Sequence, residues 1–418
     1  MKILIKNIGQ LINCSETAPV YRRGGEMKTL PLIENAWLAI ENGLIADFGE
    51  MKDWPGISDW SKLEIIDAEG GFVLPAWCDS HTHTVFAATR EGEFLDRLKG
   101  LTYQEIAEKG GGILNSANKL SLMSEDELYE QAYARLDKLK ELGTGAIEIK
   151  SGYGLTVDAE LKMLRVIKRL KENHPITIKA TFLGAHAFPL EYKKNHRGYI
   201  DSIINEMIPV IKEEGLADFI DCFCETGYFS PEEMTEILQA GIEAGLTPKV
   251  HVNQFTSIGG IQAALNSQAL SVDHLEVMTE EDISLVAKSE CAAVGLPSCS
   301  FFLGIPYAPM RALIDEGAIG VLASDYNPGS TPNGNMNLVL AMGCIKQKML
   351  PEESINAITT NGAYAMHLSK ELGSITPEKI ANVIITKPME SLAYLPYSFG
   401  ENMISQVILN GKISEEIS

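Results

Sequence analysis

The sequence predicts an α/β protein: a (β/α)8 TIM-like barrel with a small β-sandwich-like domain built from both chain ends. Three observations predict it. From about residue 72 onward, short apolar runs alternate with capped amphipathic helices, which is the rhythm of a parallel βα repeat. Eight runs fit buried parallel strands, at 72–78, 145–149, 176–183, 217–223, 248–252, 270–274, 291–296 and 318–323. The flanks lack this rhythm and read as short strands between polar turns. An open doubly wound sheet is the alternative for such a repeat, but no G-x-G-x-x-G follows any of the strands.

The helices announce themselves by their ends. Ser230 is an N-cap, Pro231 takes the first helical position and Glu233 completes a capping box; an apolar stripe of Met234, Ile237, Leu238 and Ile242 then runs to Gly245. A second box, Ser124 with Glu127, opens a helix that ends by Gly143 and feeds the strand-like Ala146-Ile147-Glu148-Ile149. In the flanks, strand-like pieces lie at 3–5, 37–40, 44–48 and 63–66, and again at 381–385 and 405–409 before the turn signal Asn410-Gly411. The expected division is therefore residues 1–70 with 366–418 as the β domain and 71–365 as the barrel. No low-complexity linker separates them, so the two parts should pack together.

Composition narrows the class of function. A chain of 418 residues with 45% hydrophobic residues and 36 glycines is neither disordered, collagenous nor coiled coil. Its net charge of −21 would repel phosphate backbones and anionic bilayers, so neither nucleic acid nor membrane is an expected partner. The seven cysteines are scattered with no CxxC pair, the N-terminus has no signal-peptide core, and no run of 18 apolar residues occurs. A cytoplasmic location is expected, and a homodimer, the commonest assembly of soluble enzymes.

Chemistry should sit at the strand C-termini. His81 and His83 follow the first run at i and i+2, so on a strand they share a face and can grip one metal. Alone, such a pair is equally well a turn feature. His251, His274 and Asp325 each fall at the end of a different later run. Singly, the histidines read as hydrogen-bonded core residues and Asp325 as a helix cap. Together, His81, His83, His251 and Asp325 make a three-nitrogen, one-oxygen set for a divalent ion, with a position left for water.

This arrangement resembles the mononuclear branch of the amidohydrolase superfamily, and within it the imidazolonepropionase family. The resemblance spans nearly the whole chain. It is carried by the segment from Asp79 to Ala87 with Arg90, by Gly110-Gly111-Gly112-Ile113, by Glu148 to Leu155, by Phe182-Leu183-Gly184-Ala185-His186 and by Ser324 to Ser330. It implies one divalent metal ion, zinc or iron, on His81, His83, His251 and Asp325, with His274 and Asp325 as catalytic residues. It implies substrate contacts from Arg90, Tyr153, His186, Gln254, Asn327, Gly329 and Ser330. The implied reaction is hydrolysis of the cyclic amide of 4-imidazolone-5-propanoate to N-formimidoyl-L-glutamate.

Some residues carry separate readings. Many relatives in the wider superfamily have Glu where this chain has Gln254; an amide cannot carry a catalytic proton at neutral pH, which counts against a ring deaminase. The fourth run has no Lys to bridge a second metal, so one ion is the expected count. Lys150 reads at least as well as a structural ion-pair partner, and Cys222 and Cys224 as small buried side chains. The Gly110–Gly112 run lacks the Lys-Ser/Thr of a phosphate loop and reads as a pocket-side turn. A deaminase of the same superfamily and a non-catalytic ligand-binding barrel remain the competing functions.

Overall fold

A computed structural model describes residues 2–57, 61–101, 105–106, 109, 111–399 and 401–414. The N-terminal part forms β1 (Lys2–Ile12), β2 (Leu32–Glu41), β3 (Leu44–Glu50), β4 (Leu63–Asp67) and β5 (Gly71–Pro75). Eight further strands follow: β6 (Trp77–Thr82), β7 (Thr144–Lys150), β8 (Thr177–Ala185), β9 (Phe219–Cys224), β10 (Thr247–Val252), β11 (Ser271–His274), β12 (Ala292–Gly295) and β13 (Ile319–Leu322). The chain ends with β14 (Val383–Pro388), β15 (Ile404–Leu409) and β16 (Lys412–Ile413).

Strands β6 to β13 lie side by side in chain order, all parallel, with helices between them. The ring is fastened between its first and last strands at the C-terminal end: Thr82 bridges Tyr326, and the Asp325 amide donates to the His81 carbonyl at 3.0 Å. Seven of the eight expected runs coincide with these strands to within a few residues. The first does not. Residues 72–78 straddle two elements, because the chain leaves β5 in the other sheet and enters β6 after Ala76, whose amide donates to the Asn382 carbonyl. An unbroken apolar run conceals this change of sheet, since both strands are buried on both faces.

Both chain ends build one eight-stranded mixed sheet in the order β16-β15-β14-β5-β1-β2-β3, with β4 also paired to β1. Strand β1 can serve β4 and β5 because it is long and bulges between Ile5 and Ile8, where Asn7 adopts φ 53°. Asn410 and Gly411, at φ 54° and 64°, make the tight turn from β15 to β16 that the Asn-Gly pair predicts. The sheet has its own apolar core of Ile3, Ile5, Leu38, Val73, Val383 and Ile408, among others. It meets the barrel where the Asn382 side chain donates to the Gly145 carbonyl at 3.1 Å.

The capped helices form as read. Pro231–Ala244 begins with the Ser230/Glu233 box and ends at left-handed Gly245, and Glu125–Glu141 begins with the Ser124/Glu127 box. Among the described residues no helix is long and apolar enough to cross a membrane.

Candidate metal centre and pocket

The strand ends bring the distant residues together. Asp79, fully buried on β6, accepts from the Ser324 amide at 3.0 Å and its hydroxyl at 2.5 Å, while the His83 amide donates to the Tyr326 carbonyl at 2.9 Å. These bonds tie the loop carrying Asp325 against the His81-Thr82-His83 segment. Two of the inward residues, His274 at φ 86° and Asp325 at φ 55°, have left-handed backbone, a strained geometry that recurs where a site dictates side-chain direction.

His81 Nε2 and His83 Nε2 lie 3.6 and 3.7 Å from Asp325 Oδ1, and His251 Nε2 lies 3.4 Å from His83 Nε2. Two ligands held ~2.0–2.1 Å from one tetrahedral ion stand at about this separation. For two of the three rings the other nitrogen is spoken for: His81 Nδ1 faces Asp273 Oδ2 at 2.6 Å and His251 Nδ1 faces Asp221 Oδ2 at 2.9 Å, while His83 Nδ1 is buried without a partner. A carboxylate on Nδ1 places the ring proton there and leaves the Nε2 lone pair free for a cation. His81 Nε2 is buried without a hydrogen-bond partner. Burial, followed for His81 by Lys150 and for His83 by His186, holds both imidazoles well below their ordinary pKa, so they are neutral donors. The donor set fits a divalent cation.

His274 sits beside this set, its ring 5.3 Å from that of His251. Burial opposes its charged form, but Glu276, whose Oε1 is 3.5 Å from His274 Nδ1, outweighs burial and raises its pKa. Burial raises the Asp325 carboxyl, with His274 and His251 opposing. Asp325 Oδ2 also accepts from the Ser330 hydroxyl at 3.4 Å.

An open cleft of about 660 Å³ lies above, lined by His83, Arg90, Tyr153, His186, His251, Gln254, His274, Asp325, Asn327, Gly329 and Ser330; His81 does not line it but is fully buried, 3.6 Å from Asp325. Every expected site residue is thus in or under one pocket. Arg90 is buried, its Nη1 3.7 Å from Glu93 Oε2, and a Cβ on Gly329 would stand 1.6 Å from its Nη2. Asn327 organises its own loop: its Nδ2 donates to the Asp325 carbonyl and to Ser330 Oγ, both at 2.7 Å, and its Oδ1 accepts from the amides of Gly329 and Ser330, both at 2.8 Å. Tyr153 rides on a loop clamped by buried Glu160, which accepts from the amides of Gly152, Gly154 and Leu155 at 2.6–3.2 Å. His186 Nδ1 meets the Gly152 carbonyl at 3.0 Å, and burial lowers its pKa to about 3. Gln254 donates to Cys299 Sγ at 3.6 Å.

The chain matches the amidohydrolase family model over residues 72–414. It is 60% identical to an imidazolonepropionase of Flavobacterium johnsoniae over 413 residues, covering 99% of this chain and 100% of that one. The chain belongs to the amidohydrolase family, and within it to the imidazolonepropionases. An imidazolonepropionase of Christiangramia forsetii is 56% identical over the same span, with the same coverage. Among solved structures, an adenosine deaminase from Xanthomonas campestris with bound zinc superposes with a TM-score of 0.70 at 14% identity, over 98% of this chain and 92% of that one. At that identity the likeness speaks for the fold.

Some features of this imidazolonepropionase-family site escape sequence reasoning. Glu93, Arg97, Ile113, Phe223, Phe255 and Leu303 also line the cleft. Arg97 donates to the Gly329 carbonyl at 3.0 Å, and its place seven residues after Arg90, on the same face of the helix Glu91–Leu98, was a usable signal. Lys150 is an ion-pair partner, as one of its readings expected, but within a larger buried group of Glu148, Asp221, Lys249 and Asp273. Of the Gly110–Gly112 turn, Gly110 lies outside the described residues; Gly112 donates to Glu93 Oε1 at 3.0 Å, which ties that turn to the helix beside Arg90.

Proposed function

We propose that this chain hydrolyses 4-imidazolone-5-propanoate to N-formimidoyl-L-glutamate, using one divalent ion, zinc or iron, held by His81, His83, His251 and Asp325. The observation that carries the reading is that His81 and His83 lie 3.6 and 3.7 Å from Asp325, and His251 3.4 Å from His83, at a cleft whose buried cation is Arg90. Charge supports it too. Two buried lysines, Lys150 and Lys249, pair with the carboxylates of Glu148 and Asp221 beneath the imidazoles, while Asp325 has no lysine or arginine partner among the ion pairs of the described residues.

When bound, the ion supplies the Lewis acidity that makes water a competent nucleophile near neutral pH. Asp325 Oδ1 faces the imidazoles, so Oδ2 is the atom that takes the proton of the attacking water. Arg90 binds the propionate through its planar fork, with Gly329 leaving room for it. Tyr153 and His186 hold the ring. As water adds to the ring carbonyl carbon, His274 donates to the developing oxyanion, a contact whose loss typically costs ~10²-fold or more in turnover. The ring C–N bond then breaks with its electron pair on nitrogen, and Asp325 Oδ2 returns the proton there. Gln254 contributes hydrogen bonds and carries no proton.

A cytoplasmic location belongs to the proposal, supported by seven free cysteines, six of them buried, and so does a homodimer, on the ground that it is the commonest assembly of soluble enzymes. The test is to add the purified protein to the imidazolone, follow loss of its absorbance and identify the product by mass. Ring opening without ammonia release is expected; stoichiometric ammonia would make the protein a deaminase.

A further inference from the structure

Beneath the imidazoles the barrel interior is ionic. Lys150 Nζ donates to Glu148 Oε1 at 2.6 Å and Asp221 Oδ2 at 2.8 Å, and stands 3.6 Å from Asp273 Oδ2. The two aspartate oxygens are the very atoms that meet His251 Nδ1 and His81 Nδ1. One ammonium is therefore a single oxygen away from both rings. All of these lysine and carboxylate side chains are fully buried.

We propose that Lys150 is a positioning residue for the cation site: it spaces Asp221 and Asp273 and, through them, sets the separation and tautomer of His251 and His81. The proposal rests on the cation reading above. An ammonium has three donors, and three carboxylates surround this one. Lys249 neutralises Glu148 from the other side, with further bonds to the carbonyls of Ser80 at 3.0 Å and Ala365 at 3.1 Å; its charge also acts on Asp273, but it makes no ion pair with Asp221 or Asp273. Lys150 alone bridges the two. Without it, Asp221 loses the hydrogen bond that aims it and Asp273 an ion pair at 3.6 Å, and the two like-charged carboxylates that keep the proton on Nδ1 of the rings are free to move apart.

Positioning and bulk charge predict opposite signs. Removing a nearby positive charge should tighten the binding of a cation if Lys150 acted by charge, whereas losing the bridge should weaken it. The experiment strips wild type, Lys150→Met and Lys150→Arg of metal and reloads each with cobalt(II) and zinc. It then measures the dissociation constant by chelator competition and the visible spectrum of the cobalt forms, with circular dichroism as the control for folding. Both variants are expected to bind ~10–100-fold more weakly, the usual cost of disturbing groups that orient metal ligands, with altered cobalt bands. The arginine variant keeps the charge but replaces a compact three-way donor by a longer planar fork. Wild-type affinity and spectrum in Lys150→Arg, or tighter binding in Lys150→Met, would overturn the proposal. Should Lys150→Met fail to fold, Lys150→Met/Glu148→Gln removes a carboxylate along with the ammonium and is read in its place, with the same weakening expected. If wild type itself takes up no ion, it is the proposed function that fails; if wild type binds and both variants match it, only the role of Lys150 does.

Discussion

A Cβ at Gly329 would displace the guanidinium of Arg90 from its place in the cleft. Gly329→Ala is accordingly expected to raise KM for the imidazolone by at least ~10-fold, with kcat changed less, because the lost contact binds substrate and transition state alike. Steady-state kinetics on the folded variant check this, and an unchanged KM would remove Arg90 from its role. Arg90→Lys should act in the same direction, since an ammonium cannot reproduce the bidentate fork. His81→Ala or Asp325→Ala should abolish turnover; near-normal activity with no metal requirement would contradict the assignment. Such positions were legible because a strand-end location and an i, i+2 spacing are visible in one dimension. Asp221 and Asp273 were not. Each looks like an ordinary polar interruption of a strand, and its meaning arises only when neighbouring strands bring it to an imidazole.

At the scale of elements, the loop 152–155 depends on one carboxylate. Glu160 at the start of the helix Val157–Asn173 accepts three amides, and Gln in its place has one acceptor oxygen, so Glu160→Gln should cost ~1–3 kcal/mol of stability and raise KM through Tyr153. Denaturant titration and kinetics read the two effects. At the other end of that helix, burial lowers the pKa of His174 to about 4, and Asp137 opposes the shift only in part. The unfolded state binds this proton more readily than the folded state does, so the contribution of His174 is present above pH 6.5 and is lost as pH falls from there toward 4. His174→Gln should flatten the stability profile across that window and leave it unchanged above; an identical slope would show that other groups dominate. Strand and helix placement was largely legible here, since capping boxes and apolar runs are local signals. The switch from β5 to β6 was not, because nothing local distinguishes two consecutive buried strands from one.

The whole molecule is a barrel whose interior carries charges where an ordinary core would be apolar, fastened by a sheet that both chain ends complete. An ion held by residues from the ends of three different strands would bind the folded state alone, so it should stabilise the fold as well as serve turnover. Dialysis against a chelator is expected to abolish activity and lower Tm, and zinc or iron should restore both; activity that survives exhaustive removal would rule the ion out of the reaction. The most direct test of the central claim is anomalous diffraction at the zinc and iron edges from crystals of protein purified without chelator. One strong peak within ligand distance of the Nε2 atoms of His81, His83 and His251 and of Asp325 is the expected result. An empty centre in crystals of protein that still opens the imidazolone at full rate would contradict the account.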